Sequence, residues 1–314
     1  MNSSLPKVLQ RLAGEPLLGH VVNCSKALAA DSIHVVYGHG GDAVKAAMAE
    51  EPLEWALQEK QLGTGHALMQ AMPQIGDDER VLVLFGDVPL LRAATLEKLL
   101  SDCPVDEVAV LTVDLDDPYG YGRMVRENGS VTRIVEQKDA TPDEQSICEI
   151  NSGVMCAPAT RLRQWLANLS NNNDQQEYYL TDVVDMAVSD GVTVHGVKAS
   201  NPAEVMGIND KKQLAEAERA LQARVVDELM AKGVGFADPA RVDIRGTLSC
   251  GRDVFIDVNA VIEGDVTLGD GVHIESNNLI RDSHLGAGTV AHSTYPPVAG
   301  FSLSSHHCAH ILHG

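Results

Sequence analysis

The sequence predicts an α/β protein in two styles: a parallel sheet with helices on both faces, then, after one long helix, a short left-handed parallel β-helix. Three observations carry this reading. Apolar runs of strand length alternate with helical patterns over the first two-thirds of the chain, the rhythm of βαβ units. Residues 210–232 place Leu214, Ala217, Leu221, Val225 and Leu229 three or four apart, which gives one helix with an apolar face. Beyond it Ile244, Cys250, Ile256, Ile262, Leu268, Ile274 and Ile280 recur every six residues, the period of a solenoid with three short faces per coil.

Taken in order, Leu17 to Ala30 has a helical pattern and Ile33 to Tyr37 reads as a strand. The turn Gly38-His39-Gly40-Gly41 leads to a helix from Asp42 to about Glu50, a short strand over Trp55 to Gln58, and a helix over Gly65 to Met72. Strands follow at Val81, Val108 to Val113, Val131 to Glu136 and Val192 to Val197, with helices over Ala159 to Leu169 and Leu180 to Val188. Gly233 and Gly235 end the long helix and Asp238-Pro239 opens the next element. In the repeat, Val254, Ala260, Val266 and Val272 stand two positions before a beat, with Gly, Asp and Asn at the corners. An antiparallel sandwich would alternate without that fixed period. Two to three coils lie near the minimum for a stable solenoid. The division is therefore a domain over 1–209, a linker helix over 210–235, a partial β-helix over 236–295 and an irregular tail over 296–314. That tail holds His306, His307, Cys308, His310 and His313. These are zinc-type donors, but nothing around them fixes a geometry.

The 314 residues suffice for two domains, and 44% apolar content supports packed cores, mostly aliphatic because aromatics are 4%. A net charge of −20 argues against nucleic acid or an anionic membrane as the main partner; small anions can still be held by local cations. Six cysteines without paired metal spacing, no apolar run of spanning length and no signal peptide point to the cytoplasm.

Two segments carry chemistry. In Val81-Leu82-Val83-Leu84-Phe85-Gly86-Asp87-Val88-Pro89-Leu90 the apolar start reads as a strand buried on both faces, which Gly86 and Pro89 break. Asp87 is left at its carboxyl end, where ligands bind in open α/β sheets. It can hold a metal ion against a phosphate, or simply cap the turn. In Gln58-Glu59-Lys60-Gln61-Leu62-Gly63-Thr64-Gly65-His66-Ala67 glycines admit a flat ligand and glutamines can read a base edge; alternatively Thr64 caps the following helix.

With Leu5-Pro6-Lys7-Val8-Leu9, Gly120-Tyr121-Gly122-Arg123, Ile134-Val135-Glu136, Glu149-Ile150-Asn151-Ser152-Gly153, Glu177-Tyr178-Tyr179-Leu180-Thr181-Asp182 and Gly207-Ile208-Asn209, these segments form eight ordered motifs. Over about residues 1–295 they resemble the bacterial bifunctional N-acetylglucosamine-1-phosphate uridyltransferase / glucosamine-1-phosphate acetyltransferase (GlmU) family. The resemblance implies a Rossmann-like (GT-A-like) nucleotidyltransferase domain, a linker helix and a left-handed β-helix of hexapeptide repeats. It implies that UTP and N-acetylglucosamine 1-phosphate give UDP-N-acetylglucosamine, a cell-wall precursor, and pyrophosphate. The sugar phosphate is already ionised, so positioning and charge neutralisation are the main requirements. By resemblance Asp87 and Asn209 hold Mg²⁺, and Lys7 neutralises phosphate. Gln58, Gln61, Gly63 and Thr64 bind uracil, and Gly122, Glu136, Asn151 and Thr181 hold the amino sugar. Phe85 stands near the sugar, where relatives often carry Tyr. Read without the resemblance, Lys7 could be a surface lysine and Asn209 the N-cap of the long helix.

Two departures set further expectations. The family opens with a strand and a glycine-rich phosphate loop, and Met1 falls where the methionine ending that loop would stand. The chain is thus expected to be truncated, its sheet short of its first, central strand with apolar neighbours and backbone groups uncovered, and its uridyl transfer impaired. The later coils that build the acetyltransferase site are expected to be missing, and the family's homotrimer, formed along the β-helix, has little surface here. The competing readings are a nucleotidyltransferase for another sugar phosphate and a non-catalytic truncated product or assembly subunit.

Overall fold

The computed structural model describes residues 1, 3–38 and 40–293 of the chain. They fall into two compact units, Met1–Leu221 and Gln222 onward, divided within the long helix.

The first unit contains α1 (Leu17–Ala27), β1 (His34–Tyr37), α2 (Gly41–Ala47), β2 (Glu54–Leu57), α3 (Thr64–Ala71), β3 (Arg80–Val83), α4 (Ala93–Ser101) and β4 (Val108–Asp114). It continues with β5 (Arg123–Glu127), β6 (Ser130–Val135), β7 (Glu149–Pro158), α5 (Ala159–Ala167), α6 (Asp182–Ser189), β8 (Val194–Lys198) and the start of α7 (Lys211–Ala231). A six-stranded sheet runs β8-β4-β7-β5-β6, with β3 also on β7. Helices cover both faces as expected. Val108 and Val110 of β4 pack with α3, α5 and α6 through Leu68, Leu162, Trp165 and Val184. Ala109, Leu111 and Val113 turn to the other face, with Cys24 of α1 and Leu96 and Leu99 of α4. This alternation is the period of two that a strand imposes.

The expectation of a parallel sheet is corrected. β8 runs parallel to β4, but β7 is antiparallel to β3, β4 and β5. The long strand β7 escaped the sequence reading because its start, Glu-Ile-Asn-Ser-Gly, is poor in strand formers. Gly153 there has φ +87°, and the β4–β7 register slips between Val110 and Thr112, a bulge. A second correction concerns the Val81 run. It is not buried on both faces: Val81 is buried, but Leu82, Val83 and Leu84 are half-buried. Among the described residues β3 has one ladder, to β7, and β1 pairs only with β2 in a separate sheet.

The second unit begins in the last turns of α7 and continues through β9 (Gly235–Phe236), β10 (Val242–Cys250), β11 (Phe255–Ile256), β12 (Ala260–Leu268), β13 (His273–Ile274), β14 (Leu279–Arg281), β15 (His284–Leu285) and β16 (Val290–Ala291). Among the described residues all its ladders are parallel. β10 lies on β12 in register from Val242↔Ala260 to Cys250↔Leu268, partners 18 residues apart, which is three hexapeptides. The beats at Ile244, Ile256, Ile262, Leu268 and Ile274 are buried, as are Val254, Ala260, Val266 and Val272 before them, whereas Cys250 is only half-buried. The next coil is one residue short: Thr267 pairs with His284 and His273 with Val290. After Ile280 the next packed side chain is therefore Leu285, one position before the sixth, which is why the period stops being legible there. Corners are held by side-chain ladders. Asn259 Nδ2 donates to Asn277 Oδ1 at 2.9 Å, both residues at positive φ, a conformation that Asn tolerates. At the solenoid's start Gln222 is buried and closes the exposed backbone of β10. Its Nε2 donates to Ile244 O and its Oε1 accepts from Ile244 N, both at 2.8 Å.

The irregular tail and its histidines lie outside the described residues. Among the described residues no helix is long and apolar enough to cross a membrane.

Candidate active site

The structure brings together the three residues expected to handle phosphate and metal. Beyond β3 a turn, closed by Val88 N donating to Phe85 O at 3.1 Å, presents Asp87. Ile208 N donates to Asp87 O at 2.9 Å, so the segment before α7 is tied to that turn and Asn209 arrives beside it. Gly86 lets the short 3₁₀ turn Lys7–Leu9 approach: a Cβ there would sit 3.3 Å from Val8 Cγ1. Lys7 Nζ then donates to Asp87 Oδ2 at 2.5 Å and to Asn209 Oδ1 at 2.9 Å. Lys7 is thus not a solvated surface lysine. Nor is Asn209 the N-cap of α7; Asp210 Oδ1 takes that role by accepting from Gln213 N at 2.8 Å. A carboxylate and an amide oxygen from distant segments converge on one cation. That donor set suits a hard divalent ion, so the residues present fit Mg²⁺.

The residues expected around the sugar also meet. Asn151 N donates to Gly122 O at 2.8 Å, and Asn151 Oδ1 accepts from Gly153 N at 2.9 Å. A Cβ on Gly122 would lie 3.5 Å from both Glu136 carboxylate oxygens. Thr181 Oγ1 donates to Glu136 Oε1 at 3.0 Å. The Phe85 ring fills the space over Gly153, two residues after Asn151, where a Cβ would come within 2.6 Å of it. Burial raises the carboxyl pKa of Glu136 above the ordinary range, against the Thr181 hydrogen bond, with Asp139 adding to the rise.

The expected nucleobase loop docks on the segment that carries Thr181. Tyr178 N donates to Leu62 O at 2.8 Å and Gly65 N to Tyr178 O at 2.9 Å. Gly63 has φ +103°, and a Cβ there would meet Tyr178 O at 2.7 Å, so glycine is required on both counts. Thr64 does not cap α3; its Oγ1 accepts from Leu180 N at 3.2 Å. Gln58 is buried, its Nε2 donating to Gly63 O at 3.1 Å and facing His66 Nδ1 at 3.0 Å. Gln61 is exposed and reaches towards Gly38.

Two residues of the site were missed in the sequence. Tyr121, whose hydroxyl donates to Met206 Sδ at 3.5 Å, has its pKa raised, first by burial and then by the charge of Asp87. Asp182, next to Thr181, has its pKa pushed up to about 6 by burial, with Glu136, Asp185 and Asp139 adding like charge. Both lie inside quoted motifs, yet neither spacing nor composition marks them. Arg123 is fully buried behind this region. It donates to Tyr121 O and, at 2.7 Å, to Gln137 Oε1, which also accepts from Gly120 N at 3.0 Å. It thereby braces the Gly120–Gly122 loop against Glu136's flank.

Residues 1–175 match the model of the MobA-like NTP transferase domain, and residues 249–282 match that of the bacterial transferase hexapeptide (six repeats). The bifunctional protein GlmU of Herminiimonas arsenicoxydans is 53% identical over 289 residues, covering 92% of this chain and 64% of the relative. That of Janthinobacterium sp. (strain Marseille) is 54% identical over 287 residues, 91% of this chain and again 64% of the relative. The chain thus spans just under two-thirds of the length of these relatives. A solved nucleotidyl transferase from Methanothermobacter thermautotroptrophicus superposes with a TM-score of 0.48 at 20% identity, over 73% of this chain and 87% of its own. With more than half of its length matched by the family model, and with the GlmU proteins among its relatives, the chain belongs to the MobA-like NTP transferase domain family.

Proposed function

We propose that this chain transfers a uridylyl group from UTP to N-acetylglucosamine 1-phosphate, giving UDP-N-acetylglucosamine and pyrophosphate. The observation that carries the reading is the convergence of Lys7, Asp87 and Asn209 on one point. An oxygen of the sugar phosphate forms a bond to the α-phosphorus of UTP, and the bond from that phosphorus to the bridging oxygen of pyrophosphate breaks. No proton has to leave the nucleophile, so the protein's work is to align two anions and offset their charge. Asp87 and Asn209 would hold Mg²⁺, which when bound supplies charge neutralisation at the phosphates. Lys7, beside that site, supplies a second cation for the triphosphate.

Glu136 faces the sugar side. With Oε1 engaged by Thr181, its Oε2 is positioned to accept from a sugar hydroxyl, while Asn151 and the Gly122 backbone flank the acetamido group. Phe85 offers that sugar an apolar face without a hydroxyl. Gln58, whose Nε2 is committed to Gly63 O and faces His66 Nδ1, presents its Oε1 as an acceptor for uracil N3–H, with Gln61, Gly63 and Thr64 around the base. Impaired turnover is part of the proposal: Lys7 is a single ammonium facing a triphosphate, and among the described residues the strands β1 and β3 share no ladder. The compartment proposed is the cytoplasm.

The test is pyrophosphate release from UTP, CTP or GTP with N-acetylglucosamine 1-phosphate and Mg²⁺. Release with UTP that Asp87→Ala removes supports the reading; equal release with CTP, or release unaffected by Asp87→Ala, contradicts it.

A further inference from the structure

The position of Lys7 carries a consequence for how the site fills. Its ammonium lies 2.5 Å from Asp87 Oδ2 and 2.9 Å from Asn209 Oδ1, so it sits where both oxygens point. A divalent ion held by those oxygens would face a like charge within a few ångströms, and the two cations cannot share the place. The backbone under Lys7 is pinned: Leu9 N donates to Pro6 O and Gln10 N to Lys7 O, both at 3.0 Å. The side chain is just over a third exposed, and its four-carbon stem is flexible. The movable part is therefore the ammonium, not the turn.

We propose that Lys7 is the resident counter-ion of the metal site, held by Asp87 and Asn209 until a triphosphate draws its ammonium away and so opens both oxygens to the divalent ion. The inference rests on the reading that these two residues hold the metal. It makes metal binding to the nucleotide-free protein weak, because only the fraction of molecules with Lys7 displaced is competent. It also couples nucleotide and metal positively, each improving the affinity of the other by the same factor. Lys7 thus orders the filling of the site in addition to neutralising phosphate.

The experiment titrates Mn²⁺ alone into the nucleotide-free full chain, following free Mn²⁺ by electron paramagnetic resonance, for wild type, Lys7→Met, Lys7→Gln and Asp87→Ala. Thermal melting of each variant checks that it is folded. The expected result is Mn²⁺ affinity about tenfold higher in Lys7→Met and Lys7→Gln than in wild type, and binding lost in Asp87→Ala. Unchanged or weaker binding in the Lys7 variants, with binding lost in Asp87→Ala, overturns the inference while leaving the metal reading intact. Binding unaffected by Asp87→Ala overturns both. A second readout needs no substitution: acetylation of wild-type Lys7 by acetic anhydride, read by mass spectrometry at the Mn²⁺ concentration that the titration shows to be saturating, rises severalfold as Mn²⁺ displaces the ammonium from its carboxylate. Labelling of Lys7 that Mn²⁺ leaves unchanged is equally fatal to the proposal.

Discussion

The two compact units build from opposite kinds of contact. In the β-helix, Ile244 lies over Ile262 and Ile262 over Ile280, each one coil on. In the first unit the candidate site is assembled across 80 and 202 residues of chain, from Lys7 to Asp87 and Asn209. The solenoid's stability is therefore close to a sum of neighbouring coils. The site's geometry, by contrast, depends on a few backbone ties, such as Ile208 N to Asp87 O, that no local rule supplies. Substitutions should behave differently in the two units: in the first they should remove chemistry without unfolding, and in the second remove stability without touching chemistry.

The largest effect tests the first half of that contrast. Asp87→Ala is expected to lower uridylyl transfer by at least about 100-fold, since transition-state charge stabilisation depends on it. Its melting temperature should change little, because the side chain is partly exposed and packs no core. Next comes Ile262→Ala in the middle of the solenoid. Ile262 is 1% exposed, so the truncation should cost about 3 kcal/mol, read as loss of hydrogen-exchange protection in residues 235–291, with pyrophosphate release unchanged at a temperature where the first unit stays folded. If protection falls equally around β4 and β7, the units are not separate in stability and the comparison fails.

A smaller effect depends on pH. The pKa of Asp182 is pushed up to about 6 in the folded protein, from an ordinary value of 3.8. The folded state therefore favours the protonated form, and this group's contribution is most favourable below pH 3.8 and is lost as pH rises through about 6. Asp182→Asn should thus stabilise the first unit above pH 6, by on the order of 1 kcal/mol after allowance for partial solvent exposure, and have no effect below pH 4. Chemical denaturation at both pH values measures it, and an equal effect at both would show that charge is not the cause. The smallest effect is a corner of the solenoid. Asp253 is held at φ +56°, so Asp253→Gly should stabilise by about 0.5 kcal/mol, the relief of backbone strain offset by the entropy of glycine in the unfolded chain.

The same contrast explains what could be read in advance. The solenoid was legible because its core is a period: every beat from Ile256 to Ile274 is buried where six-residue spacing puts it. It became illegible at the one-residue deletion before His284, where the coil closes early. In the first unit, helices and apolar strands such as β4 were legible from their own patterns. β7 was not, because an antiparallel strand with a bulge at Gly153 reads as a polar loop. Asp87 stood out by its place after an apolar run. Asn209, Thr181 and Glu136 carry no local signal and became candidates only through an ordered set of motifs. Asn209 also read as a helix cap, a role that the structure gives to its neighbour Asp210. Tyr121 and Asp182 were beyond reach, since what distinguishes them is burial beside a carboxylate brought from elsewhere in the chain.

The central claim is that Lys7, Asp87 and Asn209 form one centre for uridylyl transfer, and Asn209 tests it most directly because it is the member furthest away in sequence and free of the capping role. The measurement is the rate of pyrophosphate release from UTP and N-acetylglucosamine 1-phosphate, as a function of Mg²⁺ concentration, for wild type and Asn209→Ala. A fall of at least about tenfold at unchanged melting temperature, partly recovered by raising Mg²⁺, is the expected result for a lost metal ligand. Turnover equal to wild type at every Mg²⁺ concentration would contradict it.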